Sequence, residues 1–213
     1  MVIPETQGTV LVVDDDPSVR RGLARLLRSA GHTVEAYGSA QEYLSCLREH
    51  TGPTCLVLDV KLPGLDGLGL QEKLLSQDSR MPIVFITGHG GVSESVKAMK
   101  RGAVDFLSKP FDDEDLLNAV GEALNLDLSV RAAHDEAVGI KKRIERLTPR
   151  EYEVLRHVIA GLLNKQIGFA LGIAEKTVKV HRGRMMEKMG VVSVAELVRL
   201  AEKAGIEPAQ IAS

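Results

Sequence analysis

Cys55-Leu56-Val57-Leu58-Asp59 is a run of apolar residues that ends on a carboxylate, and the rest of the N-terminal half arranges itself around it. Gly52-Pro53 precedes the run, and the turn-rich Leu62-Pro63-Gly64-Leu65-Asp66-Gly67 follows it. A short apolar stretch between such breakers reads as a strand buried on both faces. Upstream, Val12-Val13-Asp14-Asp15-Asp16 sets acids directly after a second apolar run. Downstream, Asp105-Phe106-Leu107-Ser108-Lys109-Pro110 ends a third with one lysine. Three strand ends that deliver acids and a lysine build one site at the carboxyl edge of a parallel sheet. Doubly wound α/β proteins place their ligands at that edge.

The intervening pattern alternates strand and helix. Strands are expected at Thr9–Val13, Thr33–Tyr37, Thr54–Asp59, Ile83–Thr87 and Ala103–Leu107. Pro17 opens a first helix, with Asp16 before it as the natural cap, and Gly31 closes it. Ser39 caps a second through about Glu49, and a third runs from Gly67 to about Ser76. Gly88-His89-Gly90-Gly91 reads as a flexible loop before a fourth, which ends near Gly102. The acids of Asp112–Asp115 suit the N-terminus of a fifth. Five such units predict one doubly wound domain over 1–125.

Residues 126–146 carry many Arg, Lys and Glu and no Pro, and read as a helical linker running on from the fifth helix. From 147 only helical signals remain. Thr148-Pro149-Arg150-Glu151 is a capping box, Asn164 is expected to cap a short second helix, and Gly172 turns into a third from about Ala174 to Met189. A fourth spans about Ser193–Ala204. Two short helices joined at a glycine and flanked by others read as a helix-turn-helix over 147–213.

Charge divides along the same line. Residues 1–125 hold 12 basic and 18 acidic residues, a net of −6, and residues 126–213 hold 15 and 11, a net of +4. An acidic half joined to a basic one predicts two jobs, the basic one on nucleic acid. No window approaches the roughly 18 apolar residues of a membrane span, and no signal-peptide pattern precedes the first strand. Cys46 and Cys55, the two cysteines, read as core hydrophobes. The expectation is a cytoplasmic protein without a membrane partner.

Asp14, Asp15 and Asp59 at one sheet edge would repel, and a hard divalent cation relieves that. Mg²⁺ or Mn²⁺ beside Asp59 would orient a phosphoryl donor for in-line transfer. Lys109 would meet the phosphoryl oxygens, and Thr87 would supply a hydroxyl. Taken singly, each residue has a plainer role: loop acids, a strand end, a turn. The joint arrangement, at spacings of roughly 45, 28 and 22 residues, carries the chemistry.

Residues 8–125 resemble the receiver domain of two-component systems, which has a flavodoxin-like fold. The resemblance rests on Val13-Asp14-Asp15, Leu58-Asp59, Leu62-Pro63-Gly64-Leu65-Asp66-Gly67, Ile86-Thr87-Gly88-His89 and Phe106-Leu107-Ser108-Lys109-Pro110-Phe111. It implies that Asp59 is the phosphoacceptor, that Asp15, Asp59 and the Lys61 carbonyl bind Mg²⁺, and that Asp14 acts on the metal through water. It further implies that Thr87 and Phe106 form the switch pair, that Lys109 is the pocket lysine before a cis proline, and that a sensor histidine kinase is the donor. The chain would then be no turnover enzyme, only taking up its phosphoryl group and slowly losing it.

In the predicted third C-terminal helix, Val178, Met185 and Met189 share one apolar stripe with His181 alongside. Lys176, Lys179, Val180 and Gly183 lie opposite, with Arg182 and Arg184 at the borders. Such a narrow edge of short and basic side chains suits the major groove, where Lys and Arg could meet guanine edges or phosphates. Lys165 near the second helix start is placed for a phosphate. Residues 147–206 resemble the tetrahelical DNA-binding domain of LuxR/NarL/FixJ regulators. The matching stretches are Leu147-Thr148-Pro149-Arg150-Glu151, Asn164-Lys165-Gln166-Ile167-Gly168, Leu171-Gly172-Ile173 and Thr177-Val178-Lys179-Val180-His181-Arg182. Val180-His181-Arg182 with Met185 and Lys188-Met189 looks most like the FixJ branch. Two positions depart: Ala174 replaces a Ser cap, and Gly183 stands where some relatives present a base-contacting Lys. The resemblance implies a homodimer on phosphorylation that binds promoter DNA and works with RNA polymerase. Two rivals are a constitutive DNA-binding regulator with a structural pocket and an aspartyl-nucleophile phosphatase. The latter wants a second acid two residues after the nucleophile, where this chain has Lys61.

Overall fold

The computed structural model describes residues 7–48, 50–77, 79–88 and 92–210. The chain divides into two compact units, Met1–Arg131 and Ala132–Ser213. In the first, strands β1 (Thr9–Val13), β2 (Thr33–Tyr37), β3 (Thr54–Asp59), β4 (Ile83–Thr87) and β5 (Asp105–Ser108) alternate with helices α1 (Pro17–Ser29), α2 (Ala40–Ser45), α3 (Gly67–Ser76) and α4 (Val92–Lys100). Helix α5 (Asp113–Glu145) then runs unbroken across the boundary between the units. The sheet is wholly parallel in the order β2-β1-β3-β4-β5. The chain moves outward from β1 in one direction and from β3 in the other, so the crevice lies between the carboxyl ends of β1 and β3.

Period-two alternation explains the two cores. Val10 and Val12 face one side of β1, packed with Leu23 and Leu27 of α1 and Leu116, Val120 and Leu124 of α5. Leu11 and Val13 face the other, with Tyr43, Leu70, Leu74 and Ala98 from α2, α3 and α4. Because both faces are covered, β3 is buried along its whole length, as its unbroken apolar sequence requires. Asp16 caps α1, its side chain accepting from the backbone N–H of Ser18 (2.7 Å) and Val19 (3.4 Å), with Pro17 in the first turn.

The second unit holds the end of α5 with α6 (Pro149–Ile159), α7 (Asn164–Leu171), α8 (Glu175–Met189) and α9 (Val194–Lys203). Val154, Leu155, Ile167, Val178, Met185, Met189 and Leu197 close one core. Thr148 and Glu151 form the expected reciprocal cap. Gly172 takes φ +67° between α7 and α8, a left-handed turn that glycine enters without steric cost.

Three boundaries differ from the sequence reading. Helix α2 stops at Ser45 and does not approach Glu49, which lies outside the described residues. Leu47 is largely exposed and Arg48 turns to pair with Glu35 of β2, so no apolar face supports another turn. Strand β5 begins at Asp105, because the Ala103 N–H is bonded to the Ala98 carbonyl (3.1 Å) in the exit from α4. Asn164 is the first residue of α7 and not its cap; Leu163 stands there, its N–H donated to Gln166 Oε1 (2.8 Å). The expected loop residues 89–91 also lie outside the described residues. Among the described residues, no helix is long and apolar enough to cross a membrane.

Candidate functional site

At the carboxyl edge of the sheet, β1 ends at Val13 and delivers Asp14, fully buried, and Asp15, exposed. Strand β3 delivers Asp59, 6% exposed, directly across the crevice. Carboxylate oxygens of the three lie within 4.8 Å of one another. From the end of β5, Lys109 reaches back with Nζ 2.5 Å from Asp14 Oδ2 and 2.6 Å from Asp59 Oδ2. Its own N–H donates to the Thr87 carbonyl (2.7 Å), so the ends of β4 and β5 are tied where the lysine leaves. The Lys109-Pro110 peptide is cis.

Backbone donors fix the acids. The Lys61 N–H donates to Asp59 Oδ1 (2.9 Å), and the Asp16 N–H donates to Asp14 Oδ1 (2.9 Å). Arg20 Nη1 donates to the Asp14 carbonyl (2.6 Å), a support that no sequence spacing announced. Gly67 lets α3 begin against the site: a Cβ there would meet the Asp59 carbonyl oxygen at 2.3 Å. Burial raises the Asp59 carboxyl above its ordinary value and the Asp14 charge adds to this, with Lys109 and the Lys61 N–H acting against both. Burial also opposes the Lys109 charge, but its bonds to Asp14 and Asp59 outweigh that and hold the amine charged.

Three carboxylates against one ammonium leave two formal negative charges in excess. The three acids, with oxygens within 4.8 Å of one another, offer the all-oxygen, negatively charged donor set that a small hard cation takes. The donor set therefore fits a divalent metal. Thr87 is buried at the end of β4. Phe106 is partly buried in register with Phe85 on β4, their ring centroids 6.2 Å apart. The structure thus brings Asp14, Asp15, Asp59 and Lys109 into one cluster, with Thr87 and Phe106 on the two strands beside it.

In the second unit, α8 buries Val178, Met185 and Met189 and packs on α6 and α7. Lys176, Thr177, Lys179, Val180, Gly183 and Arg184 are exposed, as is Lys165 in the first turn of α7. Arg182 differs: half-buried, its Nη1 donates to Asn164 Oδ1 (2.8 Å) and ties α8 to the start of α7. Lys188 Nζ lies 2.6 Å from Oε2 of Glu151, which is 2% exposed, tying α8 to the cap of α6. Neither tie has a local sequence signal, since the partners are 18 and 37 residues apart. Ala174 offers α8 no side-chain cap.

Comparison with known proteins accounts for both units. The response regulator receiver domain family matches residues 10–121, and the family of bacterial regulatory proteins of the luxR type matches residues 145–201. Nodulation protein W of Bradyrhizobium diazoefficiens is 50% identical over 202 residues, covering 94% of this chain and 88% of that protein. The solved structure of the response regulator StyR is 48% identical with a TM-score of 0.85, covering 92% of this chain and 99% of that one. Full-length FixJ from B. japonicum is 42% identical with a TM-score of 0.58, covering 94% and 98%. A receiver joined to a luxR-type domain implies a histidine kinase as partner and DNA as target. The chain belongs to the two-component response regulators that carry a receiver domain and a LuxR-type DNA-binding domain, and it is a transcriptional regulator.

Proposed function

We propose that this regulator is switched by phosphorylation of Asp59. The observation that carries the reading is the convergence of Asp14, Asp15, Asp59 and Lys109 at the crevice between β1 and β3. The phosphorus–nitrogen bond of the kinase phosphohistidine breaks as an Asp59 oxygen bonds to phosphorus, giving an acyl phosphate that water slowly cleaves. Asp14, Asp15, Asp59 and the Lys61 carbonyl would hold Mg²⁺ or Mn²⁺, which would neutralise charge on the transferring group. Lys109 follows that charge: it leaves the carboxylate pair for the phosphoryl oxygens.

The phosphoryl group adds about −1.5 to −2 charge. The Thr87 hydroxyl turns toward it and Phe106 moves into the space left. The α4–β5–α5 face, where Val96 and Met99 are already 44% and 45% exposed, then pairs with a second copy. We assign 1–125 to the receiver, 126–146 to the linker and 147–213 to DNA binding, with α9 and exposed Val192 and Val194 at a second dimer contact. Lys176, Thr177, Lys179, Val180 and Arg184 meet the major groove, Lys165 meets a phosphate, and Arg182 acts at the edge of that interface. The regulator works in the cytoplasm beside RNA polymerase and has no turnover beyond its own phosphorylation and dephosphorylation.

The test measures dimer fraction and binding to DNA upstream of the neighbouring genes, with and without a small phosphodonor. Both should rise with the donor, and Asp59→Asn should abolish the rise. DNA affinity that ignores the donor would instead identify a constitutive binder with a structural pocket.

A further inference from the structure

Helix α1 gathers positive charge on one face of a unit that is otherwise acidic. Residues 1–125 hold 12 basic and 18 acidic residues, and four of those 12 are Arg20, Arg21, Arg25 and Arg28 of this helix. Helix α1 contains no acid to balance them, and Asp16 just before it is engaged as the cap. Arg21, Arg25 and Arg28 follow the spacing i, i+4, i+7, so their stems leave one face over about 10 Å of helix. Among the described residues, no carboxylate forms an ion pair with any of the four. Like charges one turn apart work against a helix, so the arrangement is costly in the absence of an anion.

The four arginines line one open cleft of ≈ 410 Å³, with Pro17, Ala24 and Ala36 as its other walls. That volume lies within the roughly 300–1,000 Å³ of small-ligand sites. Neutral acceptors hold three of the guanidinium groups around it. Arg20 Nη1 donates to the Asp14 carbonyl (2.6 Å), Arg28 Nη2 to the Val34 carbonyl (3.2 Å) and Arg21 Nη2 to the Ser18 hydroxyl (3.1 Å). None of these acceptors cancels a charge, and a guanidinium has further N–H groups to offer. The cations are thus partly fixed before any ligand arrives.

We propose that this cleft binds a compact anion made of linked phosphate groups, either a free polyphosphate or the phosphate tail of a nucleotide. The planar fork of arginine pairs bidentately with phosphate oxygens. Linked phosphates place several negative charges within the reach of four guanidiniums. The acidity of the rest of the unit selects for size: a long polyanion meets repulsion beyond the cleft, and a compact one does not. No aromatic ring lines the cleft, so it offers a base nothing to stack on. Recognition therefore rests on the phosphates. The inference stands apart from the phosphorylation reading, because it needs no chemistry at Asp59; the two sites share only Arg20, which also holds the backbone of Asp14.

The experiment titrates full-length protein calorimetrically with tripolyphosphate and, separately, with ATP. EDTA is present, so that no metal draws the anion to the carboxylate pocket. Saturable binding is expected, and Arg21→Gln combined with Arg25→Gln should weaken it at least about tenfold. Both side chains are exposed, so the thermal melt of the double variant should match that of the parent. Equal affinity for the two ligands identifies the phosphate chain alone as what is bound, and a preference for ATP makes nucleotides the source.

The lysines of α8 also attract anions, so the site is located on the unaltered protein by arginine modification with phenylglyoxal. Tripolyphosphate should protect Arg21, Arg25 and Arg28, read by mass spectrometry of the peptides, and leave the reactivity of Arg101 and Arg150 unchanged. Equal protection of all five, or binding that the double variant leaves intact, overturns the anion site. A double variant that binds both anions normally but takes phosphoryl groups from a histidine kinase more slowly also overturns it, and makes the cleft a protein-docking surface. Loss of Asp59 phosphorylation in the parent protein would sink the phosphorylation reading and leave the cleft standing.

Discussion

The carboxylate pocket gathers Asp14, Asp59 and Lys109 across sequence separations of up to 95 residues, whereas Lys176, Lys179 and Val180 lie within a single turn and a half of α8. In the pocket, like charges are held together at the edge of a buried sheet, and their repulsion, offset in part by Lys109, works against stability unless a cation relieves it. On α8, the cations stand apart in solvent and oppose nothing. A site assembled by tertiary contacts can be switched by changing one group. A site written on one helix can be only presented or withheld. The division of labour between signal and target follows from that contrast.

The largest expected effect breaks the pocket. Lys109→Ala leaves two neighbouring carboxylates uncompensated and should destabilise the receiver by about 3 kcal/mol, the low end for a buried pair because the lysine side chain stays 22% exposed. Millimolar Mg²⁺ should recover part of the loss in a denaturant titration, whereas no recovery would speak against a cation at this edge. The corresponding charge test in the other unit is Glu151→Gln, expected to cost about 2 kcal/mol at neutral pH through the weakened bond to Lys188. Burial pushes the Glu151 carboxyl up, but Lys188 and the Thr148 N–H outweigh it and hold it below its ordinary value. Stability from this group is therefore present above about pH 4.5 and lost as pH falls through the lowered folded value. Thermal melts of the variant should lose that acid-side decline.

On the helix itself, Lys179→Ala should weaken binding by about 1–3 kcal/mol and relax preference at one base pair if the lysine reads a base edge. A uniform loss across sequences with a shallower salt dependence would place it on a phosphate. Ala174→Ser should give α8 the missing cap and stabilise the second unit by about 1 kcal/mol, read as a higher midpoint in urea. The smallest change is Gly183→Ala, which has open space and should add about 0.5–1 kcal/mol of helix stability with little change in DNA affinity.

Four strands of the sheet and the start of α3 lie where hydrophobic runs and breakers put them, because a doubly covered sheet needs unbroken apolar stretches. The acids at the ends of β1 and β3 were legible for the same reason: a strand end in such a sheet has only one edge to face. The end of α2 was not legible, since Arg48 leaves the helix for Glu35 in another strand. Nor was the role of Asn164, whose side chain serves Arg182 of α8 in place of its own helix.

Composition and periodicity settled what kinds of elements this chain makes, which half is acidic and which helix is basic, since those depend on residues close together along the chain. Distances did not follow from it. That one lysine bridges two carboxylates, that Arg20 holds the Asp14 backbone and that Asp127 accepts from the Thr54 N–H were decided by folding, because each joins groups whose neighbourhood exists only once the cores have closed.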